Sequence, residues 1–257
     1  MPAEISVYPL KMKMPPDGNP AAVDLPLMAA LVELGDHVIL IDTGFPHQPD
    51  LPEQLSLLHF EPDDITTIIN THAHIDHIGG NMLFTQARIV ISKNDYEFAK
   101  NFAHAMQRAQ SPADVLLQYF PHCHSRQIEQ AAQHAFRLAR DYWRDDLIGD
   151  ADAVQWAEDA PPLPEEIKLL PTPGHTPGHL SVIISGPTQH FTIAGDAMPS
   201  RLFWKRRLRE LTPRFSTSQF QQSKNKIETL PGIIMGGHDL PFRASDMNYV
   251  DKVRIIL

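Results

Sequence analysis

The stretch Thr71-His72-Ala73-His74-Ile75-Asp76-His77 constrains this chain more than any other part of it. It sets four metal-ligand side chains within six residues, directly after the apolar run Ile65-Thr66-Thr67-Ile68-Ile69-Asn70. In an extended or tightly turned backbone, side chains two apart point the same way, so His72 and His74 address one position. Asp76 and His77 are adjacent and must address a second position beside it. Neutral imidazoles with a carboxylate are the donor set of zinc and its borderline neighbours. A polar surface loop is the plainer account. Launch from an apolar strand, with Gly79-Gly80 directly behind, favours a metal site instead.

A chain of 257 residues can bury a sizeable core, as one α/β domain or as a domain carrying a large insertion. Its 42% apolar and 21% charged residues are ordinary for a globular protein. The formal charge of −9 argues against a nucleic-acid surface, which needs clustered Lys and Arg. The single cysteine, Cys123, cannot form an internal disulfide, and no window reaches the length of a membrane span. The N-terminus lacks a basic, then apolar, leader pattern. These features together predict a cytoplasmic protein with a small-molecule substrate and no nucleic-acid or membrane partner.

Taken in order, Ile5–Leu10 reads as a strand ended by the turn Pro15-Pro16-Asp17-Gly18. The apolar runs before and after Gly35-Asp36 read as a hairpin, with Asp42-Thr43-Gly44 at the end of its second strand. Leu51–Phe60 has helical spacing, residues 65–70 and 87–91 are strands, and Ile78–Leu83 is a turn or two of helix. Strands alternating with helices define an α/β layer arrangement. From Lys93 to about residue 160 the character changes, with helices expected over 93–109, 112–120 and 126–143. This helical insertion either covers the metal face or makes a homodimer contact. Three short strands follow at 167–170, 180–185 and 189–194, then a helix opened by Ser216-Thr217-Ser218-Gln219 and running to about Leu230. A buried strand at 233–235 is the last.

Three of these strands run into Gly- or Pro-rich turns that carry a ligand-type residue. They are Thr172-Pro173-Gly174-His175, Gly195-Asp196 and Gly237-His238. Glycine lets backbone approach an ion closely, and short turns at strand ends hold donors rigidly.

With these residues in hand, the chain resembles the metallo-β-lactamase fold superfamily. The matching residues are His72, His74, Asp76, His77, His175, Asp196 and His238, with Asp42-Thr43-Gly44 as the early motif. The resemblance covers all but the helical insertion and implies one domain over 1–257, a four-layer αβ/βα sandwich with the insertion at about 93–160. It implies two Zn2+ per chain, with iron or manganese as other occupants. His72, His74 and His175 would hold the first ion, and Asp76, His77 and His238 the second. Asp196 would bridge them, offsetting the repulsion between cations. The implied activity is hydrolysis of an ester, lactone or thioester by a metal-bridging hydroxide, with Asp76 also guiding the proton. Phosphodiesterase or nuclease-type hydrolysis, or iron-dependent oxidoreduction on the same fold, are the alternatives. The diiron branch, however, carries glutamate where His74 stands. Asp196 points toward the lactonase, glyoxalase II and phosphodiesterase branches. Against the lactonase pattern, Pro199 stands where that branch has tyrosine.

Beyond the seven, His179 repeats the setting of His175 four residues on and suits a hydrogen-bonding role behind the ligands. Asp42 either orients an imidazole or forms an Asx turn. Arg201 lies close to Asp196 in sequence and is a candidate for an anionic substrate group. The basic run Trp204-Lys205-Arg206-Arg207 with Arg209 reads as a solvated helix face, and Phe203 and Trp204 as local packing. His122-Cys123-His124 reads as an exposed polar loop.

Overall fold

The computed structural model describes residues 4–15, 25–121, 128–205 and 214–257. The turn predicted at Pro15-Pro16-Asp17-Gly18 lies largely outside them. So do the His122-Cys123-His124 stretch and most of the basic run.

Two sheets form the centre. The first contains β1 (Ile5–Lys13), β2 (Pro26–Leu34), β3 (His37–Ile41), β4 (Thr67–Ile69), β5 (Arg88–Ile91), β6 (Val154–Trp156) and β12 (Ile255–Ile256). Its order is β12-β1-β2-β3-β4-β5-β6. The second contains β7 (Ile167–Pro171), β8 (Leu180–Ser185), β9 (His190–Gly195), β10 (Ile233–Gly236) and β11 (Asp239–Arg243), in the order β11-β10-β9-β8-β7. The β2–β3 hairpin turns at Gly35-Asp36 as its sequence predicts, in register Leu34 opposite His37.

The two-residue period of β2 sorts its side chains onto two different cores. Met28, Ala30, Val32 and Leu34 face the second sheet, meeting Val182, Ile184, Phe191, Ile193, Ile233 and Met235. Leu27, Ala29 and Leu31 face outward, where Leu51 and Leu55 of α1 (Asp50–Leu57) cover them. On the far side of the second sheet, Ala194, Ile234 and Phe242 pack with Ile227 of α6 (Thr217–Ile227). Helix, sheet, sheet, helix: this is the αβ/βα sandwich. Trp204 is buried in the last cluster, its ring 5.3 Å from that of Phe242.

The 93–160 segment holds α3 (Lys93–Gln107), α4 (Pro112–Tyr119) and α5 (Ile128–Asp141). Their apolar faces converge on Ala73, Ile78, Ile91, Trp143 and Ile148, so these helices sit against the histidine-bearing loop. Several boundaries differ from expectation: the first strand extends to Lys13, and the helix expected over 51–60 spans Asp50–Leu57. The helix opened by Ser216, whose hydroxyl accepts from Gln219 N, ends at Ile227 rather than near Leu230. Strands β6, β11 and β12 were not foreseen. The first and last are three and two residues long. The other contains Pro241, which an edge strand tolerates because one side of its backbone has no ladder partner.

Strands β3, β4 and β5 run parallel, as do β9 and β10. Strand β7 is antiparallel to β8, which is antiparallel to β9, so β7 shares their direction. The C-terminal ends of both parallel sets therefore open at one edge of the sandwich. Two backbone bonds stitch the sheets there: Leu180 N donates to Thr71 O at 2.8 Å, and Met28 N to Gly237 O at 2.9 Å.

Candidate metal centre

Each strand end at this edge delivers part of a cluster. Strand β4 leads through Asn70 and Thr71 to His72 and His74. The short helix α2 (Ile75–Ile78) then turns Asp76 and His77 inward. Strands β7, β9 and β10 lead to His175, Asp196 and His238. Three overlapping groups have donor atoms within 4.8 Å of one another: His72, His74 and His175; His72, His77 and Asp196; and Asp76, His77 and His238. Asp196 lies between the ends of the cluster. Its Oδ2 is 3.3 Å from His175 Nε2 and 3.3 Å from His238 Nε2, and its Oδ1 is 3.8 Å from His77 Nε2. His74 Nδ1 lies 3.1 Å from His175 Nε2, and Asp76 Oδ2 lies 3.8 Å from His238 Nε2. Donors bound tetrahedrally to one zinc at its usual bond lengths stand about 3.3 Å apart, close to these separations.

Hydrogen bonds behind the rings decide which nitrogen faces in. His77 Nδ1 donates to Asp42 Oδ2 at 2.8 Å, since a carboxylate can only accept. His238 Nδ1 donates to the Pro26 carbonyl at 3.1 Å. The Thr71 hydroxyl spends its proton on Asp42 Oδ2 at 2.8 Å, so the His72 Nδ1–H donates to Thr71 Oγ1 at 3.1 Å. In the neutral form of all three rings the Nε2 lone pair faces the cluster, with His238 Nε2 lying 3.3 Å from Asp196 Oδ2. His72 Nε2, His77 Nε2 and Asp196 Oδ1 are buried and have no hydrogen-bond partner among the described residues. Adjacent buried lone pairs without partners are costly, and cations would satisfy them. The donor set thus fits two metal ions of the zinc type.

Two further features make room and fix orientation. A Cβ on Gly237 would lie 2.1 Å from Asp196 Oδ1, so only glycine lets this carboxylate reach the centre. Asp42 sits at φ 60°, a left-handed conformation that Asp adopts more readily than most residues. Its carboxylate also accepts from Thr71 N at 2.8 Å. Its side chain thus reaches across to Thr71 and His77 of the 71–77 loop.

Burial and charge split the cluster electrostatically. Burial holds His72 and His175 well below the ordinary imidazole range. Burial also depresses His77, but the Asp42, Asp76 and Asp196 carboxylates outweigh it and lift this ring to about 10. His238 is raised in the same way by Asp196 and Asp76, against the effect of burial. The Asp196 carboxyl stays well below its usual range because His238 and His175 outweigh its desolvation.

The remaining candidates lie in two places. His179 is fully buried, and burial lowers it to about 3. Its Nε2 accepts from Asp196 N at 3.0 Å, and its Nδ1 lies 2.9 Å from Thr172 Oγ1. Both nitrogens are engaged away from the cluster, and the ring braces the backbone of Asp196. Arg201 is turned elsewhere: its guanidinium lies 3.8 Å over the Tyr249 ring and donates to the Met247 carbonyl at 2.7 Å. Pro199 accepts from His238 N at 2.9 Å through its carbonyl.

Sequence reasoning passed over Asp95. This buried residue of α3 accepts from Ala73 N at 2.7 Å and from Gly178 N at 2.9 Å. Its one sequence signal is an acid three residues after the helix-capping Ser92. Asn70 and Asn81 form a second buried support, with Asn70 Nδ2 donating to the His77 carbonyl at 3.1 Å.

The sandwich and the converging imidazoles and carboxylates at its edge define a metal-dependent hydrolase. The profile of the Metallo-beta-lactamase superfamily matches residues 24–257. N-acyl homoserine lactonase AiiA of Bacillus thuringiensis subsp. kurstaki is 26% identical over 246 residues, covering 85% of this chain and 83% of that protein. Two solved structures share the fold. One is AidC, a dizinc quorum-quenching lactonase in complex with the product N-hexanoyl-L-homoserine, at a TM-score of 0.60 and 20% identity over 92% of this chain and 87% of that one. The other is the hydrolase AbOPH, at a TM-score of 0.61 and 16% identity over 100% and 96%. The chain belongs to the Metallo-beta-lactamase superfamily.

Proposed function

We propose that this protein is a dinuclear zinc hydrolase acting on a small lactone, ester or thioester, with His72, His74 and His175 around one ion and Asp76, His77 and His238 around the other. Asp196 would be shared between the two. The observation that carries this reading is the set of bare, buried donors His72 Nε2, His77 Nε2 and Asp196 Oδ1, side by side among the other ligand-type groups. A pair of zinc ions supplies Lewis acidity toward a carbonyl oxygen and lowers the pKa of water.

The chain's own residues do the rest. Asp42, Thr71 and the Pro26 carbonyl hold three imidazoles in the tautomer that presents Nε2. His179 and Gly237 fix the backbone and the space for Asp196. The side chain of Asp76 is 23% exposed, against 9% for Asp196, so Asp76 stands on the open side where a substrate arrives. From there it would take up the proton released by the attacking water and deliver it to the leaving oxygen or sulfur.

The likeness to AiiA over most of both chains supports a lactone among the substrates. The charge of −9 supports a small molecule rather than a nucleic acid. Among the described residues no helix is long and apolar enough to cross a membrane. The lone Cys123 supports a cytoplasmic location. Packing of the 93–160 helices on Ala73 and Ile78 supports a covering role within one domain, with a homodimer contact as the remaining use of their outer faces.

The test is metal analysis coupled to a substrate panel. Purified protein is expected to carry close to two zinc equivalents and to hydrolyse at least one class among lactones, thioesters and simple esters. His74→Ala is expected to lose metal and hydrolysis together. A protein that holds a single iron, or a His74→Ala variant with intact hydrolysis, overturns the reading.

A further inference from the structure

Asp95 belongs to α3, outside every strand-end turn that carries a ligand-type residue, yet it touches two of those turns at once. Its Oδ2 accepts from Ala73 N at 2.7 Å, the amide between His72 and His74. Its Oδ1 accepts from Gly178 N at 2.9 Å, in the turn between His175 and His179. We propose that Asp95 is a positioning residue for the metal centre, holding the His72–His74 and His175 turns at the spacing that the first ion needs. The proposal rests on the dinuclear reading above.

Local chemistry shows that the carboxylate is diverted to this purpose. Ser92 caps α3, its hydroxyl accepting from Asp95 N at 3.2 Å. An acid at the third helical position ordinarily folds back onto the capping residue's own amide. Here the Asp95 oxygens instead reach the two turns, and a different residue serves the helix end. Glu158 accepts from Lys93 N at 2.9 Å, from Asn94 N at 3.4 Å and from the Ser92 hydroxyl at 2.7 Å. With Glu158 covering the first turn of the helix, Asp95 is free to bridge.

The fit at Gly178 points the same way. A Cβ there would stand 2.2 Å from Ser92 Oγ and 2.6 Å from Asp95 N, so the turn is seated hard against the helix start. The two bonds to one rigid carboxylate therefore fix a distance between turns about a hundred residues apart in the chain. His74 Nδ1 and His175 Nε2, 3.1 Å apart, are the donors whose spacing this sets. A carboxylate with charge-assisted bonds to two backbone amides is a stronger tie than a neutral acceptor.

The decisive variant is Asp95→Asn, which keeps the shape but turns one of the two acceptors into a donor facing an N–H. Glu158→Gln is the control, since it weakens the same helix end without contact to either turn. Zinc affinity of each equivalent is measured by competition with a chromophoric chelator, and the unfolding of the zinc-free proteins is followed alongside. The expected result is a loss of about 10- to 100-fold in affinity for one equivalent in Asp95→Asn, with the other near wild type. Glu158→Gln should lose thermal stability yet keep both affinities. Wild-type affinities in Asp95→Asn, or an equal loss in Glu158→Gln, overturn the proposal while leaving the dinuclear reading intact. A wild-type protein that binds no zinc overturns both. Hydrogen exchange on the wild type covers the case of a variant that does not fold. The Ala73 and Gly178 amides should be protected even without zinc, and fast exchange at either in the metal-free protein overturns the role.

Discussion

His77 Nδ1 and Asp42 Oδ2 lie 2.8 Å apart in a setting where the imidazole is 1% exposed and the carboxylate 2%. The pair fixes more than position. A carboxylate cannot donate, so a proton must sit on Nδ1, and once the ring is neutral, as a metal ligand must be, its lone pair faces the cluster. Asp42→Asn would present an amide N–H to His77 Nδ1 or to Thr71 and so disturb the tautomer. We expect this variant to lose about 10- to 100-fold in affinity for one of its metal ions. Chelator competition reads the effect directly, and unchanged affinity would show that Asp42 merely shapes its turn.

Gly237 gives a steric counterpart. The 2.1 Å separation between a Cβ there and Asp196 Oδ1 means that Gly237→Ala must push the carboxylate off its position. The backbone of Gly237 is not in the left-handed region, so the fold should survive. Expected are a near-native circular dichroism spectrum, weakened retention of zinc and at least about a 100-fold loss in kcat/KM, as for misplacement of groups at a reacting centre. Full activity in this variant would remove Asp196 from the centre.

Acid should destabilise the metal-free protein in part through His179. Burial lowers this ring from 6.5 to about 3. Between those values the unfolded chain binds a proton that the native chain refuses, so stability falls as pH drops below about 6.5. His72 and His175, also depressed by burial, act in the same sense. His77, raised to about 10, acts oppositely: its contribution is full below 6.5 and is lost as pH rises through 10. Urea unfolding in excess chelator at pH 7, 6 and 5 should therefore show declining stability. His179→Gln should flatten that decline, and an equal slope in the variant would contradict the assignment.

Phe191 tests the seam between the sheets. It is 0% exposed and packs among Val182, Ile184, Ile193 and the inward residues of β2. Phe191→Ala should cost about 3–5 kcal/mol by loss of burial and a residual cavity. Chemical denaturation of the zinc-free protein measures it, and a loss below about 1 kcal/mol would mean the core collapses around the gap.

The convergence of the candidate cluster was readable from sequence where its chemistry is locally dense. His72, His74, Asp76 and His77 declare themselves by spacing alone, and His175, Asp196 and His238 by their place where strands meet Gly-rich turns. Asp42 was ambiguous for a physical reason, since an Asp before Thr-Gly serves an Asx turn and a histidine equally well. Only its bond to a residue 35 positions away separates the two uses. Asp95 left almost no trace, because its partners lie 22 and 83 positions off and both are backbone amides, which no side-chain pattern encodes. Strands β6 and β12 are too short to carry a period, and Pro241 disguises β11. Arg201 showed the reverse failure. Nearness in sequence to Asp196 suggested a substrate role, whereas stacking on Tyr249 engages its charge on another element.

The bonds from Leu180 to Thr71 and from Met28 to Gly237 tie one sheet to the other beside the ligand-bearing loops. Four of the seven donors hang from the first sheet and three from the second, so any slippage between the sheets would pull the imidazoles apart. Cations held by the proposed ligands would therefore couple to the closure of the whole sandwich, as rivets through its rim. Stripping them should loosen these two amides before the far end of the β7–β8 ladder, where Ile167 pairs with Ile184, feels the change.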